Sequence, residues 1–357
     1  MRPLLLLDNA DIAQAVTLEG CLAALEQMYR AVATGRAAEG TRSQTHVPLG
    51  EPGIGYCLKT MDGAIAGSGY MVMRLTSDII DSNAVNGMPR REKLARGPGG
   101  TYCGLIIVFR TADLAPVAIL HDGYLQLIRV ACSGALSARV LSNPEAGDLA
   151  VIGTGAQAWW HVRALQQVRS LRRVRVYSPT AANRMAFVQR VAGELGIPAD
   201  AADSVESAVR GADLVVAATN ASAPVLYGAW LSPGAHVISI VSGDRSHVRR
   251  EIDDEVLRRS ARVVAHWKVN AMHHGTGDLA GPVDAGILRW EDIDDLCDVI
   301  AGKAAGRRNG VDITLFKNNG GMGLQFAALA PAVYEQARSM NIGKPLPGEW
   351  FLEQMKP

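Results

Sequence analysis

Apolar and polar positions recur along this chain with two different periods, and the change between them divides it. After a short apolar run at 3–7, which reads as a strand, residues 17–35 space their apolar side chains at helical intervals, with Thr17 placed to cap the first turn and Gly35 to stop the last. From about 55 to 120 the texture becomes short β-rich runs split by Gly and Asp, at 55–60, 69–76, 101–109 and 116–122. These predict a mostly antiparallel sheet. Residues 124–142 return to helical spacing, and Asn143-Pro144 closes that helix.

From 148 onward strand-like and helix-like segments take turns: LAVIG, QAWWHVRALQQV, VRVYS, ANRMAFVQRVAGELG, DSVESAVRG, DLVVAAT, HVISIV, EIDDEVLRRS and ARVVAH. Strands that are apolar on both faces, alternating with helices, predict a parallel sheet covered on both sides. A further helical run after Trp290, a Gly/Asn-rich turn at 317–323 and a helix at 324–340 follow. The expected fold class is α/β, a Rossmann-type doubly wound parallel sheet at 130–314 beside an α+β domain formed by 1–129 and completed by 315–357.

Composition narrows the function. With 48% hydrophobic and 20% charged residues in 357, the chain has enough apolar material for two cores and is far from the profile of disorder. Lys plus Arg is 36 against 35 Asp plus Glu, so no global field attracts nucleic acid, and the partner is expected to be a small molecule. Asp8, Asp11 and Glu19 interrupt the opening apolar run, and no stretch approaches the ~20 residues of a membrane span. The five cysteines, Cys21, Cys57, Cys103, Cys132 and Cys297, are scattered and form no CxxC pair, which points to a reducing cytoplasm rather than a disulfide framework or zinc site.

The sharpest local signal is Val151-Ile-Gly153-Thr-Gly155-Ala-Gln-Ala158, a strand, a glycine turn and a helix in G-x-G-x-x-A form. Gly153 permits the tight turn, Gly155 lets backbone approach a pyrophosphate, and Ala158 permits close helix–strand contact. The next strand ends in Tyr177-Ser178-Pro-Thr180 without the carboxylate that reads the ribose of NAD. Ser178, Thr180 and Arg184 form a hydroxyl and guanidinium set suited to a 2′-phosphate, which favours NADP over NAD. The alternative is that Ser178 and Thr180 simply cap the helix that follows.

Taken with Arg129 and Ser133-Gly-Ala on the preceding helix, Ala218-Thr219-Asn220, Pro233-Gly-Ala-His236, Ser242-Gly-Asp244 and Asp312-Ile-Thr-Leu-Phe-Lys317, this motif resembles the ornithine cyclodeaminase/mu-crystallin family over nearly the whole chain. The resemblance implies a homodimer whose first domain serves substrate binding and dimerisation. It implies that Thr154, Ala156, Gln157, Thr219, Asn220 and the loop at Lys317 complete the cofactor site, and that Arg42, Arg74 and Arg129 hold a substrate carboxylate. Arg74 stands where many members carry lysine. Guanidinium forks suit the task because they grip a carboxylate through two bonds and keep their charge when buried; the plain alternatives are an ion pair for Arg129 and surface positions for the others. Asp244 corresponds to the aspartate that faces the substrate amine and moves its proton, or else it serves a helix N-terminus.

The segment 78–100, with Arg90-Arg-Glu-Lys93, reads as a long loop in which Lys93 adds an anion contact or is merely solvated. His273-His274 and Asp278 do not have a metal-ligand spacing, so no metal is expected. The implied activity is that of an NAD(P)-dependent imine reductase or amino-acid dehydrogenase acting on a small amino or imino acid. A cyclodeaminase with recycled NAD and a non-catalytic NADPH-binding crystallin are the alternatives.

Overall fold

The computed structural model describes residues 3–83, 92–241, 248–318 and 321–353, and the chain divides into two compact units: residues 1–129 with 321–357, and residues 130–320. Among the described residues no helix is long and apolar enough to cross a membrane.

The first unit is built on a nine-stranded sheet. Its order runs Lys344–Leu346, Leu4–Leu7, Pro116–His121, Cys103–Arg110, Tyr70–Asp81, Ile54–Ile65 and Ala37–Glu39, with Ser43–Pro48 also paired to Ile54–Ile65 and Glu92–Leu94 to Tyr70–Asp81. Pairing is antiparallel except between Leu4–Leu7 and Pro116–His121. The long strand Tyr70–Asp81 alternates cleanly: Val72, Arg74, Thr76, Asp78 and Ile80 are buried on one face, while Met71 and Met73 are exposed on the other. Helices Leu18–Ala33 and Gly323–Ser339 pack together, and the latter lies on the strands that carry the buried row. Thr17 caps the first of them by accepting from the Gly20 amide, as its position predicts.

The expected loop at 78–100 is in part a strand. Tyr70–Asp81 runs through Asp78, and Glu92–Leu94 pairs back onto it with Lys93 opposite Ile80. A three-residue strand of Glu, Lys and Leu has too little pattern to be seen without its neighbour.

The second unit is an eight-stranded, wholly parallel sheet in the order Ala199–Ala201, Arg173–Tyr177, Asp148–Ile152, Leu214–Ala217, His236–Ser239, Ile313–Lys317, Ser260–Ala265, Ile293–Asp295. The chain starts in the third position, moves outward to one edge and then returns to the other side, so that the topological switch lies between Asp148–Ile152 and Leu214–Ala217. The strand Ile313–Lys317 keeps the chain in this unit past 314. The segment EIDDEVLRRS is helical only over Asp254–Arg259, because Asp253 caps it by accepting from the Val256 amide and leaves Glu251 outside the helix.

Candidate functional site

In the first unit the sequence-predicted arginines come together on the helix-covered face. Arg74 projects from the strand Tyr70–Asp81 and Arg129 from the helix Gly123–Leu141, 6% and 7% exposed, and the Phe326 ring lies 4.9 Å and 5.5 Å from their guanidinium carbons. Arg42 Nη1 lies 3.1 Å from where a Cβ on Gly321 would stand, and its charge is felt at Arg129. Arg74 donates Nε and Nη2 to Asp122 Oδ2 at 2.9 and 2.5 Å, whereas Arg129 donates Nη1 to the neutral Gln325 Oε1 at 2.7 Å. Asp122 reaches this place because the residue beneath it is Gly104, where a Cβ would come within 2.1 Å of Oδ1. Burial, and then the like charge of Arg74, push the Arg129 guanidinium down to about 9, with Arg42 acting in the same direction. It remains protonated at neutral pH.

Lys93 does not join this set. Its ammonium lies 2.9 Å from the buried Asp78 carboxylate, which also accepts from Thr76 and has Lys59 at 3.5 Å. The lysine read as a further anion contact therefore has an internal carboxylate as its partner.

In the second unit the glycine turn has the form a dinucleotide requires. Gly153 has φ +110° and a Cβ there would lie 2.2 Å from the Ala218 carbonyl oxygen. Gly155, in extended conformation, begins the helix Ala156–Leu165, and a Cβ there would meet nothing within 4 Å. One glycine is demanded by the protein's own backbone; the other leaves open space before the amides of a helix N-terminus. Ala158 is fully buried, which lets the helix lie close to the strand. The open Gly155, the helix amides and the close Ala158 contact fit a bound pyrophosphate.

At the end of the next strand, Arg184 donates to the Ser178 carbonyl, and its guanidinium carbon lies 5.5 Å from the centre of the Tyr177 ring. Thr180 occupies the N-cap position of Ala181–Leu195 but makes no capping hydrogen bond.

The carboxyl ends of the central strands carry a network that sequence reasoning missed. Glu251, fully buried, accepts from the Thr219 amide (2.6 Å) and hydroxyl (2.8 Å) with Oε1, and from the Ile240 (2.9 Å) and Val241 (2.8 Å) amides with Oε2, with Ser239 Oγ at 3.0 Å. Asp278 accepts from Lys317 Nζ at 2.7 Å, and Lys317 also donates to Ser239 Oγ and the Val241 carbonyl. Lys317, read from the sequence as touching the cofactor, is 2% exposed and has all three ammonium protons taken by these groups. Burial raises the Glu251 carboxyl above the usual carboxylate range, while the nearby Lys317 ammonium opposes that shift. Asp278, considered with His273 and His274, is in this network instead; among the described residues no cluster is placed to hold a metal ion. Asn220 is exposed on the loop beyond Thr219, and Asp244 lies outside the described residues.

Two of the buried imidazoles of this unit are held strongly neutral. His161 shares a 2.8 Å hydrogen bond with the Gln157 carbonyl, and burial pushes it down to about 4. His236 lies between Ser137 and Thr314 hydroxyls, pushed down to about 3 by burial and by Arg307.

A dinucleotide-type parallel sheet, with an open glycine at the switch point, together with a separate α+β unit that gathers buried arginines, defines a two-domain protein of the Rossmann class. Residues 6–341 match the ornithine cyclodeaminase/mu-crystallin family, and the chain belongs to it. It is 32% identical over 244 residues to a Delta(1)-pyrroline-2-carboxylate reductase of Bacillus cereus, covering 68% of this chain and 74% of that one. An alanine dehydrogenase of Archaeoglobus fulgidus is 26% identical over 340 residues, 95% of this chain and 97% of its own. The fold is also that of Thermococcus litoralis Delta(1)-pyrroline-2-carboxylate reductase, solved with NADH and L-proline, at TM-score 0.83 and 23% identity, covering 96% of this chain and all (100%) of that one.

Proposed function

We propose that this chain is an NAD(P)-dependent enzyme that reduces a small imino acid to the corresponding amino acid. The observation that carries the reading is the buried arginine set, in which Asp122 balances Arg74 while Arg129 is held by a neutral amide. Such a set is a receptor for a carboxylate. The names of the relatives point the same way, since pyrroline-2-carboxylate and alanine each carry a carboxylate beside a carbon bonded to nitrogen.

When bound, the dinucleotide supplies a hydride. Gly153, Thr154, Gly155, Ala156 and Gln157 hold its pyrophosphate, and Thr219 and Asn220 line its path. Ser178, Thr180 and Arg184 receive a 2′-phosphate and so favour NADP. Arg42, Arg74 and Arg129 orient the substrate by its carboxylate, and Asp244 holds a proton at the substrate nitrogen. The second face of the first unit's sheet, with Met71, Met73 and Leu58 exposed and Leu75, Leu105 and Ile107 half-buried, serves to pair two copies of the chain.

The test is a screen of NADPH and NADH oxidation over cyclic imines, α-keto acids with amines, and diamino acids, with bound cofactor identified by native mass spectrometry. Stoichiometric cofactor oxidation with an imino acid supports the reading. Ammonia release without net oxidation would replace it with a cyclodeaminase, and tight NADPH binding without turnover with a binding protein.

A further inference from the structure

Glu251 is the point at which separate parts of the second unit's site meet. The groups that converge on its carboxylate are donors: the Thr219 amide and hydroxyl on Oε1, and the Ile240 and Val241 amides on Oε2, while the Ser239 hydroxyl shares its one proton between Glu251 Oε2 at 3.0 Å and Asp278 Oδ2 at 2.8 Å. Thr219 begins the connection leaving Leu214–Ala217, and Ile240 and Val241 begin the one leaving His236–Ser239, the two adjacent strands on the far side of the switch point. A carboxylate is the side chain suited to this place, because both of its oxygens accept and neither donates. The Glu251 amide is itself fixed, donating to Asp278 Oδ1 at 3.0 Å, and Asp278 is in turn paired with Lys317.

We propose that Glu251 is a positioning residue of the dinucleotide site: it sets the backbone of the Thr219 loop and the root of the Val241 loop in the arrangement that cofactor binding and turnover require. This rests on the functional reading above. A side chain that merely stabilised the fold would be expected to affect melting alone. One that positions two site loops should affect cofactor affinity and kcat as well, since a displacement of about 1 Å in a reacting constellation can cost ~100-fold in rate.

The experiment uses the full-length protein and two variants. Glu251→Gln keeps the shape but in either orientation turns an NH2 toward a backbone amide that can only donate, and Thr219→Val removes the hydroxyl's bonds to Glu251 and from the Ala221 amide while leaving the Thr219 amide bond to Glu251. NADPH affinity is read by its fluorescence, turnover by steady-state kinetics with a substrate found in the screen, and loop order by amide exchange at Thr219, Ile240 and Val241. For a folded Glu251→Gln we expect at least tenfold weaker NADPH binding, a tenfold or larger fall in kcat, and faster exchange at those three amides. Thr219→Val should show the same changes at smaller size, and if Glu251→Gln does not fold, faster exchange in Thr219→Val at Ile240 and Val241, whose amides that substitution reaches only through Glu251, decides the matter. Wild-type affinity and kcat in a folded variant would overturn the proposal even if melting fell. Failure of the wild type to bind either dinucleotide would instead overturn the functional reading, and the positioning role with it.

Discussion

Gln325 Oε1 accepts a 2.7 Å hydrogen bond from Arg129 Nη1, between residues 196 positions apart in the sequence. The partner is a neutral amide, so the bond orients the guanidinium without cancelling its charge. Arg74, by contrast, spends its charge on Asp122. The two arginines therefore differ in partner: Arg74 is ion-paired with Asp122, while Arg129 donates Nη1 to a neutral amide and feels Asp122 at longer range.

From this difference Arg129→Ala should raise KM for the imino acid by about 10- to 100-fold, the equivalent of ~1.5–3 kcal/mol for a hydrogen bond to a charged group, with a smaller effect on kcat. Arg129→Lys should recover part of the loss, since an ammonium cannot make the two-pronged contact. Steady-state kinetics on both variants checks this; an unchanged KM in Arg129→Ala removes it from the carboxylate site.

The two glycines of the turn should respond in opposite ways. Gly155→Ala adds a methyl where the protein has open space, so the fold should melt as the wild type does while dinucleotide affinity falls about tenfold or more. Gly153→Ala drives a methyl into the Ala218 carbonyl at φ +110°, so stability itself should fall, by a few kcal/mol. Thermal melts paired with calorimetric titration of NADPH separate the two cases.

Arg184 beside Ser178 predicts tighter binding of NADPH than of NADH, with Arg184→Ala narrowing the gap by about tenfold, or ~1.4 kcal/mol. Calorimetry showing equal or tighter NADH binding in the wild type would reverse this assignment.

His161 and His236 are kept neutral by burial, which pushes them down to about 4 and about 3 from the ordinary imidazole value of 6.5. Below that ordinary value the unfolded chain binds protons that the folded chain refuses, so their contribution to stability is complete above pH ~6.5 and declines as pH falls toward 4. Urea unfolding between pH 7 and 5 should show this loss. His161→Leu should flatten the slope by about 1.4 kcal/mol per pH unit in the acid half of that window; an unaltered slope would contradict the buried neutral ring.

If the second sheet face pairs two copies, Met73→Glu, at a position 38% exposed and flanked by Met71, should shift the protein toward monomer in analytical ultracentrifugation while leaving its circular dichroism unchanged. A wild type that sediments as a monomer at micromolar concentration excludes that use of the face.

Much of the second unit was legible because its information is local. The glycine turn, the apolar strands beside it and the helix capped by Gly196 at φ +67° each declare themselves within a dozen residues. Strands such as Ala199–Ala201, Ile293–Asp295 and Lys344–Leu346 were not legible, since three residues carry no period and their pairing is supplied by distant partners. The arginines could be picked out as chemistry, but Asp122 and Gln325 could not. Each is an ordinary residue until the chain brings it beside a guanidinium. Glu251 was hidden by a neighbouring helical pattern, and its meaning lies in backbone amides that have no letter in a sequence.

The strand Lys344–Leu346 pairs with Leu4–Leu7 at the edge of the first unit's sheet, and Gly323–Ser339 lies on that sheet's middle strands. The unit that begins first is thus finished last. While a ribosome makes residues 130–320, at roughly 5–20 residues per second, the N-terminal strands wait with the face for that helix uncovered. The nascent chain should therefore depend on chaperone shelter more than the finished protein's sealed core suggests, and a stop codon before residue 321 should leave a folded dinucleotide unit attached to an aggregation-prone half.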